Sequence, residues 1–265
     1  MLTTLAARVP AGRYRFRHVA RMEWIKLRSL RSTGWTLVIT VAGAISVGVA
    51  VGINTRNAAG DLTNNALAGI IPALLLTSVL GVLTMTSEYS SGMIRSTLAA
   101  APRRPLLLAA KAAVFGALAL VVGEAASFIA FFAGGAALRH GIAAPALGQP
   151  GVLRAVVLSG TSFCLIGLVG LGIGAIVRHS AAAIAVVVGG LYVAPAAAGG
   201  ISHGVAAYLP IFIVGNSLST TKPEVCGSGG PCPHFLSAWA GLGVLCLWAA
   251  VPLVVGGWLL ARRDA

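Results

Sequence analysis

Six long apolar stretches constrain the fold of this chain more than any other feature. A helix of roughly 20 residues crosses a hydrocarbon layer of about 30 Å. We predict membrane-spanning helices over residues 35–53, 66–86, 106–137, 152–177, 181–201 and 237–261. Because 57% of the residues are hydrophobic and only 9% are charged, a water-soluble domain of this length could not cover its apolar surface. The sequence therefore predicts an all-α, polytopic membrane protein with one six-helix transmembrane domain over residues 35–261, an N-terminal tail over 1–34 and a short tail over 262–265.

The basic residues predict how the chain is oriented in the membrane. Four of the 19 lysines and arginines fall on one side, namely Arg56, Arg139, Arg154 and Lys222. The other fifteen lie on the opposite side, and cytoplasmic loops are the ones that retain positive charge. We therefore expect both termini in the cytoplasm, in the plasma (inner) membrane of a bacterium. The net charge of +13 is explained by this topology, so no nucleic-acid partner is expected.

An amphipathic interfacial helix is predicted just before the first span, over residues 16–31. On a helical wheel one arc is apolar and holds Phe16, Val19, Met22, Leu27 and Leu30, whereas Arg17, Arg21 and Arg28 lie opposite. Glu23 and Lys26 interrupt the apolar arc and are spaced for an i,i+3 ion pair. Such a helix could anchor the chain to anionic lipid, or it could contact a cytoplasmic partner. Its candidate contact residues are Arg21, Glu23, Trp24, Lys26 and Arg28.

The third predicted span is overlong and contains two charged residues. Lys111 is expected to mark its cytoplasmic interface, so that the helix enters the bilayer near Ala112. Glu124 lies near the middle of the span, where an ionised group costs about 2.5–3.5 kcal/mol or more. It could relay protons, contact a substrate or form an interhelical hydrogen bond. We expect it to be protonated or to meet a hydroxyl group such as that of Thr161 or Ser162.

The last external loop contains the sequence CGSGGPC, which begins with Cys226 and ends with Cys232. The glycines permit the tight reversal that a short disulfide needs, and the outer compartment is oxidising. Two free thiols are the alternative. Just before this loop, residues 204–217 form an apolar stretch that is too short to span, so it is either a re-entrant helix or an extension of the fifth span. No metal site is predicted.

The loop between the second and third spans carries the most informative pattern. Residues 87–105 read SEYSSGMIRSTLAAAPRRP, an amphipathic segment with an acid at its start and Pro-Arg-Arg-Pro at its end. The run from Glu88 on to Lys111 resembles the first cytoplasmic loop of type-2 ABC transporter permeases, in a type V exporter-like architecture. The opening EWIKLRSLRS at residues 23–32 resembles the same family, as does the layout of six spans. Met93 departs from the family pattern, which often has Thr after the glycine.

The resemblance implies that this loop forms a coupling helix docked on a cytoplasmic ATPase. The alternative is that its arginines only enforce the inside orientation. On the first interpretation the chain binds no cofactor itself, and ATP and Mg²⁺ act through two copies of the partner ATPase. A second permease subunit, identical or homologous, completes the transporter in the lipid bilayer. The residues expected to couple the ATPase to the membrane domain are Glu88, Tyr89, Gly92, Arg95, Thr97, Pro102, Arg103 and Arg104.

The function predicted on this basis is that of a permease subunit of an ABC exporter. It would move a lipophilic or amphipathic drug, peptide or lipid out of the cytoplasm, as in multidrug or antibiotic resistance. The chain has no G-x-x-x-x-G-K-[ST] loop, so it is not expected to hydrolyse ATP or to be an enzyme. By resemblance the second and fifth spans line the pathway, which suggests Thr77, Thr84 and Tyr192 as lining residues. The alternatives are a secondary transporter and a membrane immunity or scaffold protein.

Overall fold

The computed structural model describes residues 15–56, 60–100, 104–139, 141–195, 207–220 and 236–262, without the side chains of residues 95 and 98–100. This part of the chain is helical and contains no β-strand. Its helices are α1 Phe16–Ser29, α2 Arg31–Asn54, α3 Leu62–Ala66, α4 Ile70–Ser90, α5 Met93–Ala100, α6 Arg104–Ala136, α7 Val152–Val177, α8 Ser180–Val188, α9 Pro210–Leu218 and α10 Ala238–Arg262.

Five of these helices are long and apolar enough to cross a membrane, namely α2, α4, α6, α7 and α10. They have 21 to 33 residues and coincide with five of the six predicted spans. The chain is therefore a multi-pass membrane protein. At the remaining predicted span, over residues 181–201, the structure describes α8 and a π-helical turn over Gly189–Val193, and residues 196–206 lie outside the described part.

Helix α7 lies at the centre of the bundle and packs against α4, α6 and α10. Its glycines allow the α4 backbone to come into contact with it. A Cβ atom at Gly170 would overlap the carbonyl oxygen of Ser78, and one at Gly81 of α4 would overlap the carbonyl oxygen of Gly167. Small residues at such crossings replace side-chain packing with backbone contact, which is how membrane helices commonly associate.

Helix α6 is longer than a bilayer requires, as the sequence indicated. Its 33 residues extend over about 50 Å at 1.5 Å per residue, so its first turns continue beyond a 30 Å hydrocarbon layer. Helix α1 packs against these first turns, where Val19 meets Leu107 and Ala110. We call this end of the bundle, where α1 and α5 lie, the α1 end.

The face of α1 that packs against the bundle differs from the predicted apolar arc. The buried residues are Val19, Glu23 and Leu27, one helical turn apart, whereas Phe16 and Leu30 at the two ends of the arc are exposed. The reason is that Glu23 finds ionic partners inside the protein. The helix therefore presents a stripe with a carboxylate at its centre to the bundle.

The opposite end of the bundle carries α3 and α9. Leu209 is extended, and α9 then begins at Pro210 as a separate helix packed against α7 and α10, so it does not continue the fifth span through Leu209. Asp61 caps α3 by accepting from the Asn64 backbone N–H, and it also accepts from the hydroxyl group of Ser219 just after α9. Cys226 and Cys232 lie outside the described residues.

Candidate functional site at the α1 end

Four charged side chains from three helices meet at the α1 end of the bundle. Glu23 and Lys26 come from α1, Glu88 from the last turn of α4, and Lys111 from the second turn of α6. We call these four residues the ion cluster. Residues 23 and 26 are far from residues 88 and 111 in the sequence, so only the tertiary fold brings them together.

Lys111 is the central cation of the ion cluster. Its Nζ donates to Glu23 Oε2 at 2.6 Å and to Glu88 Oε1 at 2.7 Å. Lys26 Nζ completes the arrangement by donating to Glu23 Oε1 at 3.2 Å and to Glu88 Oε1 at 3.0 Å. The sequence-predicted i,i+3 pair of Glu23 and Lys26 is thus present, but it is one of four ion pairs and not an isolated surface pair.

The ion cluster is buried and carries no net formal charge. Glu23, Glu88 and Lys111 are 2%, 5% and 4% exposed, whereas the side chain of Lys26 is 24% exposed. Removing a charged group from water costs roughly several kcal/mol. Close pairing with an opposite charge offsets this cost. Burial by itself would lower the pKa of Lys26, but the carboxylates of Glu23 and Glu88 outweigh it and raise that pKa.

The ion cluster also contacts α5, the helix in the loop between α4 and α6. Lys26 Nζ lies 3.2 Å from the hydroxyl oxygen of Thr97, which is buried. Gly92 makes the turn from α4 into α5 with a φ of 71°, a conformation that strains other L-residues. Glu88 and Thr97 therefore lie on either side of a fixed reversal, and both of them contact Lys26.

Two polar atoms beside this reversal have no hydrogen-bond partner within the described residues. They are Oε2 of Glu88 and the hydroxyl oxygen of Tyr89, and both are buried. The guanidinium carbon of Arg178 lies 5.3 Å from the centre of the Tyr89 ring, a cation–π distance. Buried polar atoms without a hydrogen-bond partner are rare in proteins, so these two atoms at the end of α4 are exceptions to the usual pairing.

Two arginines bind the end of α10 at the same end of the bundle. Arg104 donates to the carbonyl oxygen of Leu260 at 3.1 Å, and Arg178 donates to that of Leu259 at 3.3 Å. The last carbonyl groups of a helix have no intrahelical partner, and cations near them are favourable. Arg104 thereby fixes the start of α6 against α10.

The structure brings some of the sequence-predicted coupling residues together and leaves others apart. Glu88, Thr97, Glu23 and Lys26 are in contact in or beside the ion cluster. The other α1 candidates, Arg21, Trp24 and Arg28, are exposed on the surface of α1 and take no part in it. The side chain of Arg95 and the whole of Pro102 and Arg103 lie outside the described part.

Sequence reasoning did not find that Lys111 belongs to the site. It identified Lys111 as the marker of an interface and as the end of the run that resembles the permease loop, but it gave Lys111 no ionic partner. The sequence contained a signal. Before residue 124, Glu23 and Glu88 are the only acidic residues on the side predicted to be cytoplasmic, and each of them lies next to an apolar span. A lysine inside an apolar helix needs an acidic partner. This requirement would have indicated that Lys111 pairs with Glu23 or Glu88, but it would not have specified the geometry.

Two of the residues suggested for a pathway, Thr77 and Thr84, lie on α4, and the third, Tyr192, lies in the π-helical turn after α8. Thr77 is 2% exposed and packs towards Gly167 of α7, while its hydroxyl group donates to the carbonyl oxygen of Ala73. Thr84 is half-buried and donates to the carbonyl oxygen of Gly81, and Tyr192 is half-buried against the core. The assignment of these three residues to a pathway stays a prediction.

Glu124 contacts one of the two hydroxyl groups that the sequence suggested. Thr161 Oγ1 of α7 lies 3.1 Å from Glu124 Oε1, whereas Ser162 donates to the carbonyl oxygen of Leu158 in its own helix. The contact joins the middles of α6 and α7. It lies far along α6 from the ion cluster, so it is a separate polar site.

The architecture defines a class, a multi-pass helical membrane protein with a buried ion cluster that joins the short helix α1 to α4 and α6. No protein-family model matches the sequence, and a search of curated proteins found no match. Among the described residues, no group of three or more His, Cys, Asp or Glu side chains could hold a metal ion.

Proposed function

We propose that this protein is the membrane-spanning permease subunit of an ABC exporter. The observation that supports the proposal is the ion cluster, which joins α1, α4 and α6 and contacts α5. Helix α5 lies in the loop that resembles the coupling loop of type-2 ABC permeases. A bare connector between two spans would not require an ion cluster of two carboxylates and two ammonium groups beside it.

In this proposal the ion cluster transmits force from α5 to the membrane domain. An ATPase that pushes on α5 displaces Thr97 and Glu88, which lie on either side of the Gly92 turn. Lys111 holds Glu88 against both α1 and the first turns of α6. Because α6 is one continuous helix of 33 residues, a displacement at its start moves the whole helix as a rigid body.

The proposal includes partners that supply the energy and complete the pathway. Two copies of a cytoplasmic ATPase bind ATP and Mg²⁺, and a second permease subunit, identical or homologous, encloses the substrate with this one. Both termini then lie in the cytoplasm. The substrate is a lipophilic or amphipathic drug, peptide or lipid, and alternating access moves it outwards.

The test is purification of the tagged protein from native membranes in mild detergent. Mass spectrometry identifies any bound protein that has a G-x-x-x-x-G-K-[ST] loop, and the eluate is assayed for ATP hydrolysis. Met93→Asp changes an exposed residue at the start of α5, and Ser29→Asp is the matched control on the exposed surface at the end of α1. We expect the wild type and Ser29→Asp to retain the ATPase and Met93→Asp to lose it.

Two outcomes would contradict the proposal. One is a wild-type protein that carries no ATPase while folded and monodisperse. The other is equal retention of the ATPase by both variants, which would mean that α5 is not the docking element. Transport that continues without ATP and stops in Glu124→Gln would instead favour a secondary transporter.

A further inference from the structure

Glu124 and Thr161 form a polar site in the middle of an apolar helix pair. Glu124 is roughly central in the part of α6 between Lys111 and Ala136, and Thr161 faces it from α7. Gly160 makes room for the carboxyl group, because a Cβ atom there would lie 2.6 Å from Glu124 Oε2. The carboxyl group therefore lies against the α7 backbone at Gly160. We call Glu124, Gly160 and Thr161 the Glu124 site.

The Glu124 site opens on the outer surface of the bundle. Glu124 is half-buried, and the residues one turn before Glu124 and Thr161 are Val121, 68% exposed, and Val157, 39% exposed. The surface around the carboxyl group is thus apolar and accessible. No lysine, arginine or histidine of the described chain pairs with Glu124, unlike Glu23 and Glu88 in the ion cluster.

The hydrogen bonds of the Glu124 site leave one carboxyl oxygen available. Thr161 Oγ1 lies 3.1 Å from Glu124 Oε1 and 2.9 Å from the carbonyl oxygen of Val157. A hydroxyl group has one proton, so Thr161 donates to one of the two and can accept from a protonated Glu124 when it donates to Val157. In either arrangement Glu124 Oε2 receives no hydrogen bond from the described chain.

We propose that the Glu124 site binds the amino group of a lipophilic amine that enters from the bilayer between α6 and α7. An isolated carboxylate is costly at this depth, so Glu124 holds its proton when the site is empty. An uncharged amine crosses hydrocarbon readily. On binding, the Glu124 O–H bond breaks and an N–H bond forms on the amine, which leaves an ammonium–carboxylate pair whose total charge is still zero.

The amine is the ligand class that fits these groups. A charge-assisted N–H···O bond to Oε2 is stronger than a neutral one, and Thr161 remains beside Oε1 to stabilise the carboxylate. A neutral lipid or an alcohol gains no proton from Glu124, and an anion would bring an unpaired negative charge into apolar surroundings. That this amine is also the transported substrate rests on the proposed function, whereas its binding does not.

The experiment uses the purified full-length protein in lipid nanodiscs without any ATPase. The probe is a dodecyl chain with a dansyl group at one end and a primary amine at the other, and the control probe lacks the amine. Binding is followed by dansyl fluorescence. We expect the amine probe to bind the wild type at least about tenfold more tightly than the control probe, and Glu124→Gln to abolish this difference.

Two matched variants separate the Glu124 site from a general effect on α7. Thr161→Val removes the hydroxyl group beside Glu124, whereas Ser162→Ala removes a hydroxyl group that donates only within α7. We expect Thr161→Val to weaken binding of the amine probe several-fold and Ser162→Ala to leave it unchanged. Gel filtration verifies that each variant is folded.

A second readout needs no variant. Dicyclohexylcarbodiimide modifies protonated carboxyl groups in apolar surroundings, and mass spectrometry locates the product. We expect labelling of Glu124 that the amine probe prevents and the control probe does not. Equal binding of the two probes by the wild type would overturn the proposal, as would labelling that the amine probe does not prevent. A Glu124 that the reagent never reaches would overturn it too, because the site would then be closed to the bilayer. None of these results depends on finding an ATPase.

Discussion

Replacing Lys111 with methionine removes the central cation of the ion cluster and keeps a side chain of similar length. Glu23 and Glu88 then share only Lys26, at 3.2 Å and 3.0 Å, and the buried group acquires a net charge of −1. Removing one partner of a buried ion pair costs about 3–5 kcal/mol. We therefore expect Lys111→Met to lower the free energy of unfolding by an amount in that range.

Two comparison variants test whether the cost comes from the unpaired charge. Lys26 is 24% exposed, so water can replace part of its interaction, and Lys26→Met should cost about 1 kcal/mol. Glu23→Gln combined with Lys111→Met leaves one carboxylate and one ammonium group, 3.0 Å apart. This double variant should recover part of the loss, with an interaction energy of about 0.5–3 kcal/mol.

The assay is equilibrium unfolding in mixed micelles, followed by circular dichroism. Limited trypsin digestion gives a second measure, because Arg21 and Arg28 are exposed on α1 and cleavage there should accelerate when α1 leaves the bundle. The reasoning is refuted if Lys111→Met unfolds like the wild type. It is also refuted if Lys26→Met is as destabilising as Lys111→Met, because burial would then not govern the cost.

Three further predictions use the same unfolding assay. Gly81→Ala should destabilise the bundle by about 1–3 kcal/mol, because the new Cβ atom meets the carbonyl oxygen of Gly167, whereas Gly189→Ala, with nothing within 4 Å, should not. Asp61→Ala removes the cap of α3 and the acceptor for Ser219, and should cost about 1–2 kcal/mol. The raised pKa of Lys26 means that its contribution is complete below the unfolded value of about 10.4 and is lost as pH rises through the folded value. The difference in the free energy of unfolding between the wild type and Lys26→Met should therefore be constant from about pH 6 to 9 and become smaller above about pH 10.4. A difference that becomes smaller as the pH is lowered from about 9 to 6 would contradict this.

Helix α1 illustrates how far pattern analysis reaches. Its existence and its start at Phe16 agree with the predicted helix over residues 16–31. Its orientation does not, because the helical wheel treats Glu23 and Lys26 as interruptions of an apolar face. A helical wheel uses only the hydrophobicity of each residue. It contains no information on neighbouring helices, so it does not show that Lys111 supplies a counter-ion to Glu23.

Hydropathy alone determined the membrane class and five of the spanning helices, because a run of apolar residues longer than the hydrocarbon thickness is a local property of the chain. The overlong third span was equally readable from its length. The tertiary structure decided which charged residues meet. Lys111 is 88 positions from Glu23, and their contact depends on how α1 packs on α6. The Glu124 site depends in the same way on the crossing of α6 and α7, where Gly160 lets a carboxyl group lie against the backbone. Burial and pairing are properties of two surfaces together, so no single segment encodes them.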